Sequence, residues 1–269
     1  MIKVKDVSFS YQAGTEIIKD ITLHFDQRST AIIGQNGAGK TTFVKLLKGL
    51  LKPSSGDIII GDSSVNETTP ATLAKQIGLV FQNPNDQIFK RSVLEEVLFG
   101  PLNIGQNPEL AKENALNALK MVGLENRLEV NPQDLSLSDK KLLCIASIIA
   151  MDTNIIILDE PTIAQDHLGK QKIKEIIQSL KEKQKLVMTI IHDMDFVAEN
   201  FERTIVFQQG KAILDGSTRE VFAESDILAA ARVEPPSITQ LGYWLGYKQV
   251  FLTEKELIET IKTDSKIAL

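Results

Sequence analysis

The sequence predicts an α/β fold built on a mainly parallel sheet, and three observations carry that prediction. Apolar runs of strand length, STAIIG (29–34), NIIIL (154–158) and LVMTII (186–191), alternate with stretches whose apolar residues recur at helical spacing. The first run opens into a glycine-rich loop and then a helix with Phe43, Leu46, Leu47 and Leu50 at i, i+3, i+4 and i+7. At 269 residues, 43% hydrophobic and 24% charged, the chain has an ordinary globular composition and can bury one large core, or a main domain with a small appendage.

Residues 1–30 hold alternating segments, IKVKDVSF and ITLHF, around a turn near Ala13-Gly14, the pattern of an antiparallel sheet. DIIIG (57–61) and IGLVF (77–81) are further strands. From Ser92 to about Met151 the pattern is helical: Ser92 with Glu95 forms a capping box, and Asn107-Pro108 opens a helix that Gly123 closes. LSLSDKKLL (135–143) starts another helix, with Leu142, Leu143, Ala146, Ile149 and Ala150 on one face. A helix over 167–183 separates the last two apolar strands, and the KEKQK run at its end (181–185) reads as solvated. IVFQQGKAIL (205–214) is a hairpin; from Thr218 the chain is amphipathic helix broken by Pro235-Pro236.

Composition also excludes function classes. A net charge of −5 argues against a nucleic-acid binder. The single cysteine, Cys144, precludes an intrachain disulfide and reads as a small buried hydrophobe. The N-terminus alternates like a strand and lacks the apolar core of a signal peptide. No apolar run approaches the ~18 residues of a bilayer span, so a cytoplasmic protein, able to dock on a membrane protein, is expected.

The glycine loop carries the clearest chemistry. GQNGAGKT (Gly34, Gln35, Asn36, Gly37, Ala38, Gly39, Lys40, Thr41), followed by Thr42, fits G-x-x-x-x-G-K-[ST] between a buried strand and an amphipathic helix. Glycines let backbone N–H groups converge on phosphates where a Cβ would block approach. Lys40 is expected to reach the β- and γ-phosphates, and the Thr41 hydroxyl to join a Mg²⁺ shell. Asp159, at the end of the apolar strand before EPT, supplies the second acid for Mg²⁺; Glu160 is placed as general base for water. His192, in IIHD, can orient that water, and Gln82, ending IGLVFQ, can ligate Mg²⁺ through its amide oxygen. The site therefore calls for a nucleotide and Mg²⁺.

Together these residues resemble the nucleotide-binding subunit of ABC transporters over nearly all of residues 1–216. The resemblance implies a P-loop NTPase (RecA-like) core with an N-terminal antiparallel β subdomain, a helical subdomain over about 85–151 and a C-terminal helical extension: residues 1–217 as nucleotide-binding domain, 218–269 as extension. It implies that the nucleotide is ATP and places Tyr11 against adenine. It also places LSLSDKK in the slot of the LSGGQ signature, which in this family completes the partner subunit's ATP site. Ser136 is kept, whereas Leu137 and Ser138 replace the glycines and Asp139 the glutamine. The loop after LDEPT, normally SALD or SGLD, reads Ile163-Ala164-Gln165-Asp166. A leucine denies close backbone approach and a carboxylate repels a triphosphate.

The residues serving the chain's own ATP are thus intact and those lent to a partner are altered. The expected assembly is an asymmetric heterodimer with a second ABC ATPase subunit carrying an intact signature. FQNPNDQIF (81–89) resembles the corresponding segment of energy-coupling-factor importer ATPases, which serve vitamins and metal ions. That resemblance implies a transmembrane coupling protein and a substrate-binding membrane subunit as partners, at the cytoplasmic face of the membrane. Asn83, Asp86, Gln87 and Phe89 would then line the groove for the coupling helices. The tail EPPSITQLGYWLG also resembles that subgroup's extension, with Tyr243, Trp244 and Leu245 available for pairing or for packing on their own domain. The alternatives are another ABC transporter class, or a soluble ABC ATPase.

Overall fold

The computed structural model describes residues 1–12 and 14–267; Ala13, part of the expected first turn, lies outside them. Strands β1 (Ile2–Ser10) and β2 (Glu16–Phe25) pair antiparallel. Strand β4 (Ser55–Ile60) pairs antiparallel with β1, and β5 (Ser63–Ser64) with β4, giving one sheet in the order β2-β1-β4-β5. The DIIIG run therefore joins the N-terminal sheet and not the parallel one. Its alternation explains why: Ile58 and Ile60 are buried while the residues between and before them are not, the mark of a strand covered on one face.

The second sheet contains β3 (Thr30–Ile33), β6 (Ile77–Val80), β7 (Ile155–Asp159), β8 (Leu186–Ile190), β9 (Arg203–Gln208) and β10 (Lys211–Ser217), in the order β10-β9-β3-β8-β7-β6. All pairings are parallel except the β9–β10 hairpin at the edge. Strands β3, β6, β7 and β8 are buried at every residue, which is why they read as unbroken apolar runs. Successive side chains go to opposite faces. Ile156 and Leu158 pack with the helical layer, Ile155 and Ile157 in a second core shared with Val4, Phe25, Phe43 and Phe207.

The crossovers supply helices. Helix α1 (Lys40–Leu47) follows β3 and stops earlier than its periodicity suggests. Gly49 adopts φ +72°, leaving Leu50 beyond the helix and 44% exposed. A short α2 (Pro70–Leu73), too brief for a periodic signal, precedes β6. Helices α3 (Val93–Asn103), α4 (Pro108–Val122) and α5 (Leu137–Ala150) pack together between β6 and β7. Ser92 accepts the Glu95 N–H at 3.2 Å, Asn107 caps α4, and Gly123 closes it at φ +77°. Cys144 is fully buried, and burial pushes its thiol up to about 12.

Helix α6 (His167–Glu182) joins β7 to β8, and α7 (Met194–Asn200) joins β8 to β9. The KEKQK end of α6 is not wholly solvated. Lys185 is buried, donates to the Asp152 and Thr153 carbonyls at 3.1 and 2.8 Å, and pairs with the Asp152 carboxylate. The tail forms α8 (Thr218–Ala223), α9 (Ser225–Ala230), α10 (Ser237–Trp244) and α11 (Glu254–Ile267). Ser217 and Glu220 make a reciprocal capping box that starts α8. Ser237 donates to Asp195 from both its N–H (2.6 Å) and its hydroxyl (2.8 Å), tying the tail to α7. Tyr243 packs against the core, while Trp244 is 81% exposed. No helix among the described residues is long and apolar enough to cross a membrane.

Candidate functional site

The loop between β3 and α1 is held by close backbone contacts. A Cβ on Gly34, at φ +137°, would lie 2.1 Å from the Phe207 carbonyl oxygen; one on Gly39, at φ +101°, would lie 3.1 Å from that of Ile17. Only glycine fits both places. Gly39 is the N-cap of α1 and offers no side-chain cap, so the first N–H groups of the helix stay available to an anion. Lys40 is 6% exposed, and its ammonium donates to the Gly34 and Gln35 carbonyls at 2.6 and 3.0 Å. Burial lowers its pKa, and the nearby Glu160 and Asp159 charges oppose that shift.

Asp159 ends β7 with 2% exposure, and its Oδ1 has no hydrogen-bond partner. Burial pushes its carboxyl up to about 6, opposed chiefly by a hydrogen bond with Thr41. A buried carboxylate oxygen without a partner, beside a hydroxyl, is a donor set that fits a hard cation such as Mg²⁺. Among the described residues no cluster of three or more His, Cys, Asp or Glu could hold a metal, so phosphate oxygens and water would have to supply the other ligands.

Glu160 follows at φ +50°, an unfavourable backbone for a side chain with a Cβ, held by a 2.9 Å bond from its N–H to the Ile190 carbonyl. Its two carboxylate oxygens have different partners: Gln82 Nε2 donates to Oε2 at 2.8 Å, and His192 Nε2 lies 3.1 Å from Oε1. Three residues distant in sequence thus meet at the carboxyl ends of β6, β7 and β8. They line a cleft of about 710 Å³ together with Tyr11, Ile17, Ile163 and loop residues 36–42. Tyr11 is 57% exposed, stands edge-on to Phe9, and has its hydroxyl 3.4 Å from Thr42 Oγ1. Ile17 carries no motif in the sequence, and Ile163 belongs to the altered loop after LDEPT, whose expected place is a partner's site and not this cleft.

None of Ser136, Leu137, Ser138, Asp139 or Asp166 lines that cleft. Ser136 caps α5 by accepting the Asp139 N–H at 3.1 Å, and Asp166 caps α6 through the Gly169 N–H at 2.8 Å. Leu137 is 50% exposed. The Asp139 carboxylate is not a bare negative charge as expected: Arg127 Nη1 pairs with it at 2.9 Å. Ser138 donates its hydroxyl to Gln165 Oε1 at 2.8 Å, and Gln165 Nε2 returns a 3.2 Å bond to the Ser138 carbonyl. Arg127 and Gln165 escaped notice as partners because both contacts are tertiary.

The four residues expected to line a membrane-partner groove are placed differently from one another. Asn83 caps the turn that contains Asp86 and donates to its carboxylate at 3.2 Å. Gln87 is engaged within the chain: its Oε1 accepts the Phe81 N–H at 3.0 Å and its Nε2 donates to the Cys144 carbonyl of α5 at 3.2 Å, so its amide links the loop to that helix. Phe89 is 59% exposed and stacks edge-on with Phe99 at 4.7 Å. It lines a groove of about 530 Å³ with Lys90, Leu98, Phe99 and Leu102.

Residues 18–163 match the ABC transporter family. A Pyrococcus furiosus protein provisionally named an ABC transporter ATP-binding protein is 38% identical, over 96% of this chain and 98% of its own. The energy-coupling factor transporter ATP-binding protein EcfA2 of Caldanaerobacter subterraneus is 39% identical, over 90% of this chain and 87% of its own. Among solved structures, cbiO1 from Clostridium perfringens, part of the ABC transporter complex cbiONQ, superposes with a TM-score of 0.75 at 31% identity, over 91% of this chain and 98% of that one.

Proposed function

The chain belongs to the ABC transporter family as an ATP-hydrolysing, ATP-binding subunit, and on that premise we propose that it powers an energy-coupling-factor importer of a vitamin or metal ion as one half of an asymmetric ATPase pair. The observation that carries the catalytic assignment is the convergence of Gln82 and His192 on the two oxygens of Glu160. The proposed division is a nucleotide-binding domain over 1–217 and a helical extension over 218–269.

In this reading Tyr11 faces the base, and the loop N–H groups from Gly34 to Thr42 take the phosphates. Lys40 exchanges its carbonyl acceptors for β- and γ-phosphate oxygens, and Asp159 with Thr41 and Gln82 holds Mg²⁺. The cation supplies charge neutralisation on the phosphates. Glu160 accepts a proton from the attacking water, while Gln82 and His192 fix the direction in which its oxygens point. Phosphoryl transfer needs positioning above all.

Asymmetry is supported by the other face. The exposed Leu137 side chain stands against close approach, and the side chains of Ser136, Ser138 and Asp139 are engaged within the chain. A partner with an intact signature is proposed to complete the competent site, beside a transmembrane coupling protein received at the Phe89 groove on the cytoplasmic face of the membrane. ATP hydrolysis measured for the chain alone, and for the complex purified with its partners, tests this. Turnover is expected to be slow alone and brisk in the complex; brisk turnover as a self-pair would overturn the asymmetric assignment.

A further inference from the structure

Lys141 lies one turn into α5 and is 2% exposed. Its ammonium donates to three backbone carbonyls: Phe81 at 2.9 Å, Gln82 at 2.8 Å and Asp159 at 3.0 Å. An ammonium has three donors, and all three are used. Two other lysines, Lys185 buried and Lys48 half-buried, show what a purely architectural role looks like. Lys48 bonds the Ile77 carbonyl and Lys185 those of Asp152 and Thr153, all at strand starts away from the catalytic side chains. The acceptors of Lys141 are instead the backbones of Gln82 and of the residue before Glu160, whose side chains meet at 2.8 Å.

We infer that Lys141 is a positioning residue: it fastens the Gln82 loop to the carboxyl end of β7 and so sets the Gln82–Glu160 contact. Charge-assisted bonds to carbonyls are among the stronger ones, and here they cross-link segments that share no strand pairing beyond Val80–Leu158. The same helix begins with the Ser136 cap, so Lys141 also ties the helix that carries the signature slot to the Gln82 loop. This rests on the assignment of Gln82 and Glu160 to ATP hydrolysis.

The test uses the assembled complex for kinetics and the full chain for amide exchange, with Lys141→Met and Lys141→Arg. Lys141→Met is expected to lower kcat about 10–100-fold, the scale of a small misplacement in a catalytic site, with KM for ATP changed by less than about 3-fold. Lys141→Arg should recover most of that loss. Exchange should quicken around Gln82 and leave β3 and β8 unchanged. Combined with Gln82→Ala, Lys141→Met should add little further loss, because both act on one contact. Unchanged kcat, or a loss additive with Gln82→Ala and accompanied by faster exchange throughout, overturns the inference. If Lys141→Met does not fold, Lys141→Gln, which keeps a donor, carries the same kinetic expectation. Failure of the wild-type complex to hydrolyse ATP would sink the functional assignment instead, while the local exchange change would still report on the cross-link.

Discussion

At the glycine loop, polar groups are left for something to bind: Asp159 Oδ1 has no partner, and the first N–H groups of α1 lack a side-chain cap. At the start of α5 the side chains are paired within the chain: Ser136 accepts the Asp139 N–H, the Ser138 hydroxyl and carbonyl are bonded to Gln165, and the Asp139 carboxylate is paired with Arg127. Both are helix N-termini with the same dipole. The contrast teaches that two helix ends with the same dipole can present different surfaces: what differs is how far the surrounding side chains leave polar groups unpaired and approachable.

The largest effect is expected from Glu160→Gln in the assembled complex. Removing the base should cost about 10²–10⁴ in turnover, while equilibrium ATP binding stays within a few-fold. Unchanged turnover would take Glu160 out of that role and, with it, the claim that the cleft is the working side.

Next is an attempt to convert the closed face into an open one. Leu137→Gly, Ser138→Gly and Asp139→Gln together remove the leucine, the link to Gln165 and the pair with Arg127. Losing one oxyanion donor typically costs ~10²–10³ in rate, so the triple variant is expected to gain a comparable factor as a self-pair. A variant as slow as the parent would show that something other than these side chains silences the face.

The smallest effect concerns stability. The Asp159 carboxyl is pushed up to about 6 by burial, so the fold favours its neutral form. Its contribution to stability is therefore full below about pH 4 and lost as the pH rises through 6. Urea unfolding of the ligand-free chain should show Asp159→Asn gaining roughly 2 kcal/mol on the wild type between pH 4 and 7. A pH-independent difference would mean that the carboxylate is already compensated within the chain.

Much of the architecture was legible. The buried strands β3, β7 and β8 announce themselves because strands covered on both faces must be apolar throughout. The loop announces itself because Gly34 and Gly39 sit where no Cβ fits. Less was legible where the decision was taken across the chain. The sheet that DIIIG joins, the inward turn of Gln87, the burial of Lys185 and the pairing of Asp139 each depend on a neighbour far away in sequence. Lys141 is the clearest case: in KK it looks like any surface lysine, and only packing reveals three carbonyls around its ammonium.

By itself, the order of residues determined the α/β class, the phosphate loop, the acids and histidine at strand ends, and the departure of LSLSD from a glycine-rich signature. These are local properties, written in periodicity, steric demand and side-chain chemistry. Tertiary structure alone decided that Gln82 and His192 share the carboxylate of Glu160, that Gln165 and Arg127 pair with Ser138 and Asp139, and that Lys141 bolts α5 to both motifs. Hydrogen bonds between segments are set by where folding brings their ends together, and no spacing along the chain encodes that.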